Sequence, residues 1–193
     1  KLKNIKFSQR IHIKQIKLPR YFAAFFNQNQ SKLLTDKNIR LALNYGTNKL
    51  ELVETVLKGN GLVINSPLLK ELTESDVVKK FNSDKEFAKQ ILENSNWKDP
   101  YGNGTREKDK NELVLKITTS NFPELIKMAD TLKKQWEELG FKIEIETKTL
   151  PEIQFAIQNR DYEILLFGEV QGLNFDPFSF WHSSQKRDPG LNL

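Results

Sequence analysis

The chain has two histidines, His12 and His182, and no cysteine. Without thiols there are no disulfides, thiolate zinc sites or cysteine nucleophiles. His182 is followed by Ser183 and Ser184. Adjacent residues do not make a nucleophile–base pair, because a triad needs partners brought together by the fold and an acid to orient the base. His12 falls in an alternating pattern and reads as an exposed strand residue. Glu169 and Asp176 could serve as an acid–base pair of carboxylates. On one loop, seven residues apart, they read better as surface or ligand contacts. No P-loop, GxGxxG or HExxH pattern occurs, so no catalytic motif points to an enzyme.

The stretch KDPYGNGTREKDKNE, residues 98–112, has the outline of a calcium loop. Asp99, Asn103, Gly104 and Glu107 fall at positions 1, 5, 6 and 9 of an EF-hand frame. That frame needs an oxygen donor at position 3 and a bidentate acid at position 12. Tyr101 and Lys110 occupy those places, and a lysine ammonium repels the ion. The stretch therefore reads as a polar turn, and neither a metal nor another cofactor is expected.

The elements that must position any site come from the rest of the chain. At 38% hydrophobic and 28% charged residues over 193 positions, the composition is that of a globular domain or one large lobe. No run is long enough for a membrane-spanning helix. The net charge of +5 invites a nucleic-acid reading, but its distribution argues otherwise. Seven Lys/Arg and no acid lie in residues 1–20, and the remainder is slightly acidic. Those seven are interleaved with Ile5, Phe7, Ile11, Ile13 and Ile16, as in a half-buried strand with a solvated face. No nucleic-acid partner is expected. Residue 1 is Lys, so a piece of a longer or processed chain is expected.

Residues 9–17 and 20–27 read as extended. Asp36 caps a helix closed by Gly46. Asn48 with Glu51, and Ser83 with Glu86, read as capping boxes for two more helices. Leu113, Leu115 and Ile117 alternate as a strand. Pro123 opens a helix whose apolar side chains run from Leu125 to Leu139, with Gly140 closing it. Phe141, Ile143 and Ile145 alternate as a second strand, and residues 150–159 form a short helix. Residues 163–167, EILLF, read as a strand buried on both faces. This order predicts an α/β fold, a mostly parallel sheet flanked by helices. Ligands of such sheets sit beyond the carboxyl ends of the strands. The long, glycine-bearing, aromatic segment 168–182 is therefore the expected site. Its Phe175, Phe178, Phe180 and Trp181 fit either a cleft lining or the core beneath that loop.

Several phrases, taken in order, resemble the extracellular solute-binding proteins of family 5, the peptide and nickel type that serve ABC importers. They are Phe26-Asn27, then Asp36 followed by Arg40-Leu41-Ala42-Leu43, Gly59 and Gly61, and Ser66-Pro67. ILENSNWKDPYGNGTREKDKNELVLKITTS, LKKQWEELGFKIEIE and DYEILLFGEVQGLNFDPFSFW complete the set. The resemblance implies one lobe of a two-lobed, periplasmic-binding-protein-like (type II) fold. Residues 1–19 would be a strand segment leading from the first lobe, and residues 20–193 the second lobe, cut short at its C-terminal end. It implies a binding protein, not an enzyme: an extracytoplasmic, lipid-anchored monomer that takes an oligopeptide or similar small solute between its lobes and hands it to the permease subunits. The ligand contacts expected on the segment after the buried strand are Gly168, Glu169, Val170, Gln171, Leu173, Asn174, Phe175, Asp176 and Trp181. Peptide-binding members carry an Asp four residues before the loop proline to take the peptide's amino group. Here Leu173 stands in that place, and Glu169 is the alternative anion. Two other classes fit the same elements: a cytoplasmic ligand-sensing domain of a transcription regulator, and a small α/β enzyme.

Overall fold

The computed structural model describes residue 18 and residues 20–66, 81–170, 178 and 182–186. The expectations for residues 1–17, for the segment at Pro67, and for Gln171, Leu173, Asn174, Phe175, Asp176 and Trp181 lie outside the described residues.

The chain runs β1 (Arg20–Phe26), a 3-10 turn (Leu33–Thr35), α1 (Lys37–Gly46), α2 (Lys49–Thr55), α3 (Lys85–Asn94), a small hairpin of β2 (Glu107–Lys108) and β3 (Asn111–Glu112), β4 (Val114–Ser120), α4 (Pro123–Glu137), β5 (Lys142–Lys148), α5 (Leu150–Asn159) and β6 (Ile164–Val170). Helix starts follow side-chain chemistry. The Asp36 carboxylate accepts from the Asn38 N–H at 2.8 Å, capping α1. Asn48 accepts from the Glu51 N–H at 3.1 Å. The expected box is only half formed, because the Glu51 carboxylate takes the Gln135 Nε2 at 2.8 Å. The Asn48 N–H goes to the Gln135 Oε1 at 3.0 Å, so α4 completes the cap of α2. The third cap also differs: Asp84, not Ser83, receives the Phe87 N–H at 2.9 Å and opens α3. Asp adds a negative charge to the positive end of the helix, which serine cannot.

The sheet order is β1-β6-β4-β5. β4 pairs in parallel with β5 and with β6, and β1 closes the other edge antiparallel to β6. This is the mostly parallel α/β sheet expected, with one antiparallel edge strand. The central position of β4 makes the β5–α5–β6 connection pass over it. The two faces carry separate cores. Leu115, Ile117, Ile143, Ile164 and Leu166 pack with residues of α1, α3 and α4, and Leu165, Tyr21, Phe25 and Tyr162 pack with Ile153 of α5. Alternate side chains of a strand point to opposite faces, so helices on both faces demand the unbroken apolar run of β6. Ile164, Leu165 and Leu166 are all buried.

Residues 98–112 form a pinned turn. The Asp99 carboxylate accepts from the Asn103 N–H at 3.1 Å and the Gly104 N–H at 2.9 Å. These backbone donors hold its pKa below the usual aspartate value, Gly104 most of all. Arg106 ties the turn to the body: Nε reaches the Leu139 carbonyl at 2.9 Å and NH1 the Trp97 carbonyl at 2.7 Å. Gly140, at φ +97°, leaves room for the Arg106 stem, whose Cγ would lie 2.5 Å from a Cβ there.

Candidate functional site

The three parallel strands end together. Ser120 closes β4, Lys148 closes β5 and Val170 closes β6. β1 begins at the same end, since Arg20 pairs with Val170. α4 lies on one face and α5 on the other, so the chain leaves β4 and β5 toward opposite sides. That divergence is the topological switch at which open α/β sheets place ligands. Here it is laced by the Asn121 N–H donating to the Lys148 carbonyl at 3.0 Å.

The sequence placed Gly168, Glu169 and Val170 beyond the last strand. The structure corrects this: they are the last three residues of β6, hydrogen-bonded to β1. Gly168 faces Phe22, and an added Cβ would sit 2.9 Å from the Phe22 ring. Its missing side chain thus admits an aromatic from the neighbouring strand. Glu169 pairs across the sheet with Tyr21, and the Tyr21 hydroxyl donates to its carboxylate. Val170 is exposed.

The carboxyl ends of β4 and β5 contribute residues the sequence reading did not single out. Thr118, Thr119 and Ser120 are all buried. The Thr119 hydroxyl donates to the Leu166 carbonyl at 2.8 Å. The Ser120 Oγ has no hydrogen-bond partner among the described residues. Phe122 occupies the N-cap of α4, with no side-chain cap and about half its surface exposed. Polar N-caps are preferred over apolar ones by about 1 kcal/mol, so phenylalanine is a locally unfavourable choice. Leu150, the first residue of α5, is 43% exposed. Beside it the Glu152 carboxylate takes the Thr149 N–H at 2.7 Å. The Lys148 Nζ donates to Glu146 at 2.9 Å, and Lys116 adds a second ion pair at 3.4 Å. The bond to Lys148 first, then the charges of Lys116 and Lys148, hold the Glu146 carboxyl below its usual pKa; the same bond lifts Lys148 above its own.

Other chemistry-bearing residues are not gathered into a site. The His182 Nδ1 lies 2.8 Å from the Ser184 Oγ and 3.2 Å from the Ser184 amide N, which donates to it. The ring stacks on Phe178 at 4.6 Å, and His182 and Ser184 are exposed on one short turn. No group of three or more His, Asp or Glu able to hold a metal occurs among the described residues. Two shallow clefts open near the amino ends of the strands: one between Lys116, Glu144, Asp161 and Glu163, the other between Asp36, Trp97 and the β2–β3 hairpin.

The signal for Ser120, Phe122 and Leu150 was available. The rule that led to the end of β6 applies equally to β4 and β5, whose strand–helix boundaries were already placed.

Comparison with known proteins fits this geometry. Residues 2–190 match the family described as bacterial extracellular solute-binding proteins, family 5 Middle. The chain is 28% identical over 170 residues to the oligopeptide-binding protein AppA of Bacillus subtilis, covering 84% of this chain and 31% of that protein. It is 26% identical over 147 residues to the nickel-binding periplasmic protein of Escherichia coli, covering 75% and 28%. The structure of AppA from Bacillus subtilis in complex with a nonapeptide superposes with a TM-score of 0.80 at 24% identity, over 88% of this chain and 35% of that one. NikZ from Campylobacter jejuni in complex with Ni(L-His) gives 0.78 at 26% identity, over 91% and 36%. The chain thus spans about a third of the length of these relatives. With a family match over nearly its whole length and a type II binding-protein fold, the chain belongs to the bacterial extracellular solute-binding proteins of family 5.

Proposed function

We propose that this chain is the second lobe of an extracytoplasmic receptor that binds a peptide or similar small solute and presents it to an ABC permease. In this reading residues 20–193 form the lobe and residues 1–19 lead in from the first. The receptor is a monomer held at the membrane by a lipid anchor. Closure of the lobes sequesters the solute and creates the form the permease recognises. No bond is made or broken.

The observation that carries the proposal is the convergence at one end of the sheet. The carboxyl ends of β4, β5 and β6 and the start of β1 all lie there. In this reading the adjacent entering and leaving strands connect the lobe to the first one, which then faces this end. The ligand-facing residues are then Gly168, Glu169 and Val170 together with residues 120–122 and Leu150. A site shared by two bodies is an open surface on each one alone. The relatives' names, oligopeptide-binding and nickel-binding, support a small-solute role, and peptide is the first class we would test.

The test is a thermal-shift screen of the full-length protein against peptides, sugars and metal chelates. Ligand at about a hundred times its Kd stabilises the bound form by roughly 2.7 kcal/mol. A concentration-dependent rise with peptides supports the proposal. A rise with chelates or sugars only replaces peptide with that class, and a flat response to all of them overturns the receptor reading.

A further inference from the structure

We infer that the ligand-facing end of this lobe selects apolar, uncharged side chains. The inference rests on the reading of that end as ligand-facing. Each of the three parallel strands hands on to an exposed apolar residue: Phe122 after β4, Leu150 after β5 and Val170 at the tip of β6. They come from three separate stretches of sequence, and only the topology brings them to one end. Phe122 is the most telling. It stands at a helix N-cap, where a polar residue would serve the helix better, and half of its surface meets solvent. A local rule broken at an exposed position marks a residue kept for contact, not for the fold.

The charged groups at this end point the same way. Arg20 lies over the Phe22 ring, its Cζ 4.8 Å from the centroid. Glu169 accepts the Tyr21 hydroxyl. Lys148 is paired with Glu146. Glu152 is occupied by the Thr149 amide and hydroxyl. Glu124 sits in the first turn of α4, where the helix dipole favours its charge. Among the described residues Arg20, Glu169, Lys148 and Glu152 are thus already engaged within the chain and Glu124 is favoured where it stands. Burying a charged ligand side chain against them therefore costs desolvation, whereas an apolar one gains contact with Phe122, Leu150 and Val170.

The experiment compares two pentapeptides, Ala-Leu-Phe-Leu-Ala and Ala-Lys-Glu-Lys-Ala, by calorimetric titration of the full-length protein, wild type and Phe122→Asn. Asn is a good N-cap, so this variant folds, and its melting temperature should equal or exceed that of the wild type. The apolar peptide should bind the wild type at least about tenfold more tightly than the charged one, and Phe122→Asn should erase about tenfold of that affinity while leaving the charged peptide unchanged. Leu150→Ser, a second exposed substitution, should act in the same direction. Equal affinity for the two peptides overturns this inference and leaves the peptide receptor standing. Undiminished binding of the apolar peptide by Phe122→Asn and Leu150→Ser does the same. If neither peptide binds the wild type, the peptide reading falls, and this inference with it.

Discussion

Tyr21 and Glu169 offer the sharpest test of how the carboxyl end of the sheet is held. The phenol is buried, 8% exposed, and its hydroxyl donates to the Glu169 carboxylate across the β1–β6 pair. A hydrogen bond to a charged group contributes about 1.5–3 kcal/mol, and the partly exposed carboxylate draws the value toward the low end. Tyr21→Phe keeps the ring and deletes the donor, so it should lower stability by about 1–2 kcal/mol. Glu169→Gln keeps an acceptor but drops the charge, for a loss of roughly 0.5–1 kcal/mol. In the double variant the losses should fall short of their sum by at least about 0.5 kcal/mol, the coupling expected of residues in contact. Urea denaturation of all four proteins measures this. Additive losses, or a Tyr21→Phe variant as stable as the wild type, refute the bond as a structural tie. The same variants test the ligand role of Glu169. With its charge engaged by Tyr21, Glu169→Gln should change peptide affinity by less than about threefold, under 0.7 kcal/mol. A loss beyond tenfold that Tyr21→Phe does not share would make Glu169 the anion that takes the peptide's amino group.

Other outcomes follow from neighbouring features. Millimolar calcium should leave the melting temperature unchanged, because the Asp99 oxygens are occupied by the Asn103 and Gly104 amides and Lys110 stands where an acid is required; a rise abolished by Asp99→Ala would refute that. Leu165→Ala should cost about 2–5 kcal/mol by denaturant titration, since this fully buried residue fills the core between β6 and α5; a loss under about 1 kcal/mol would mean the second core is loose. The Glu146 carboxyl is depressed in the folded state, so its contribution is present above the ordinary carboxylate pKa and is lost as pH falls through the depressed one. Lys148 is raised, so its contribution is present below the ordinary lysine pKa and is lost as pH climbs past the raised one. Glu146→Gln should therefore flatten the acid limb of the stability–pH profile; an unchanged limb would assign acid sensitivity elsewhere.

The sequence revealed the elements better than their assembly. Pro123 and Gly140 bracketed α4, and the alternation of residues 113–117 and 141–145 located β4 and β5, because local backbone preferences set those boundaries. Asp84 displaced Ser83 as a cap because two adjacent residues could both serve, and only the fold chooses between them. β6 ran three residues past its apolar stretch because its partner β1 supplied hydrogen bonds as far as Val170, and Gly168 and Glu169 found cross-strand neighbours in Phe22 and Tyr21. Nothing local encodes such a partner. The carboxyl end of the sheet was read through β6 alone, although the same rule reaches Ser120, Phe122 and Leu150 at the ends of β4 and β5.

The pairing of β1 with β6 also has a temporal meaning. Tyr21 and Glu169 meet across 148 positions of sequence. On a ribosome adding about 5–20 residues per second, β1 waits roughly 7–30 seconds for its partner to be made. Through that interval RYFAAFF, rich in aromatic residues and free of proline and glycine, is a strand without a neighbour. Contacts this distant in sequence also slow folding once synthesis is complete. The β1–β6 edge cannot close until β6 has been made, and the interval before closure is when this stretch of the nascent chain is most exposed to aggregation.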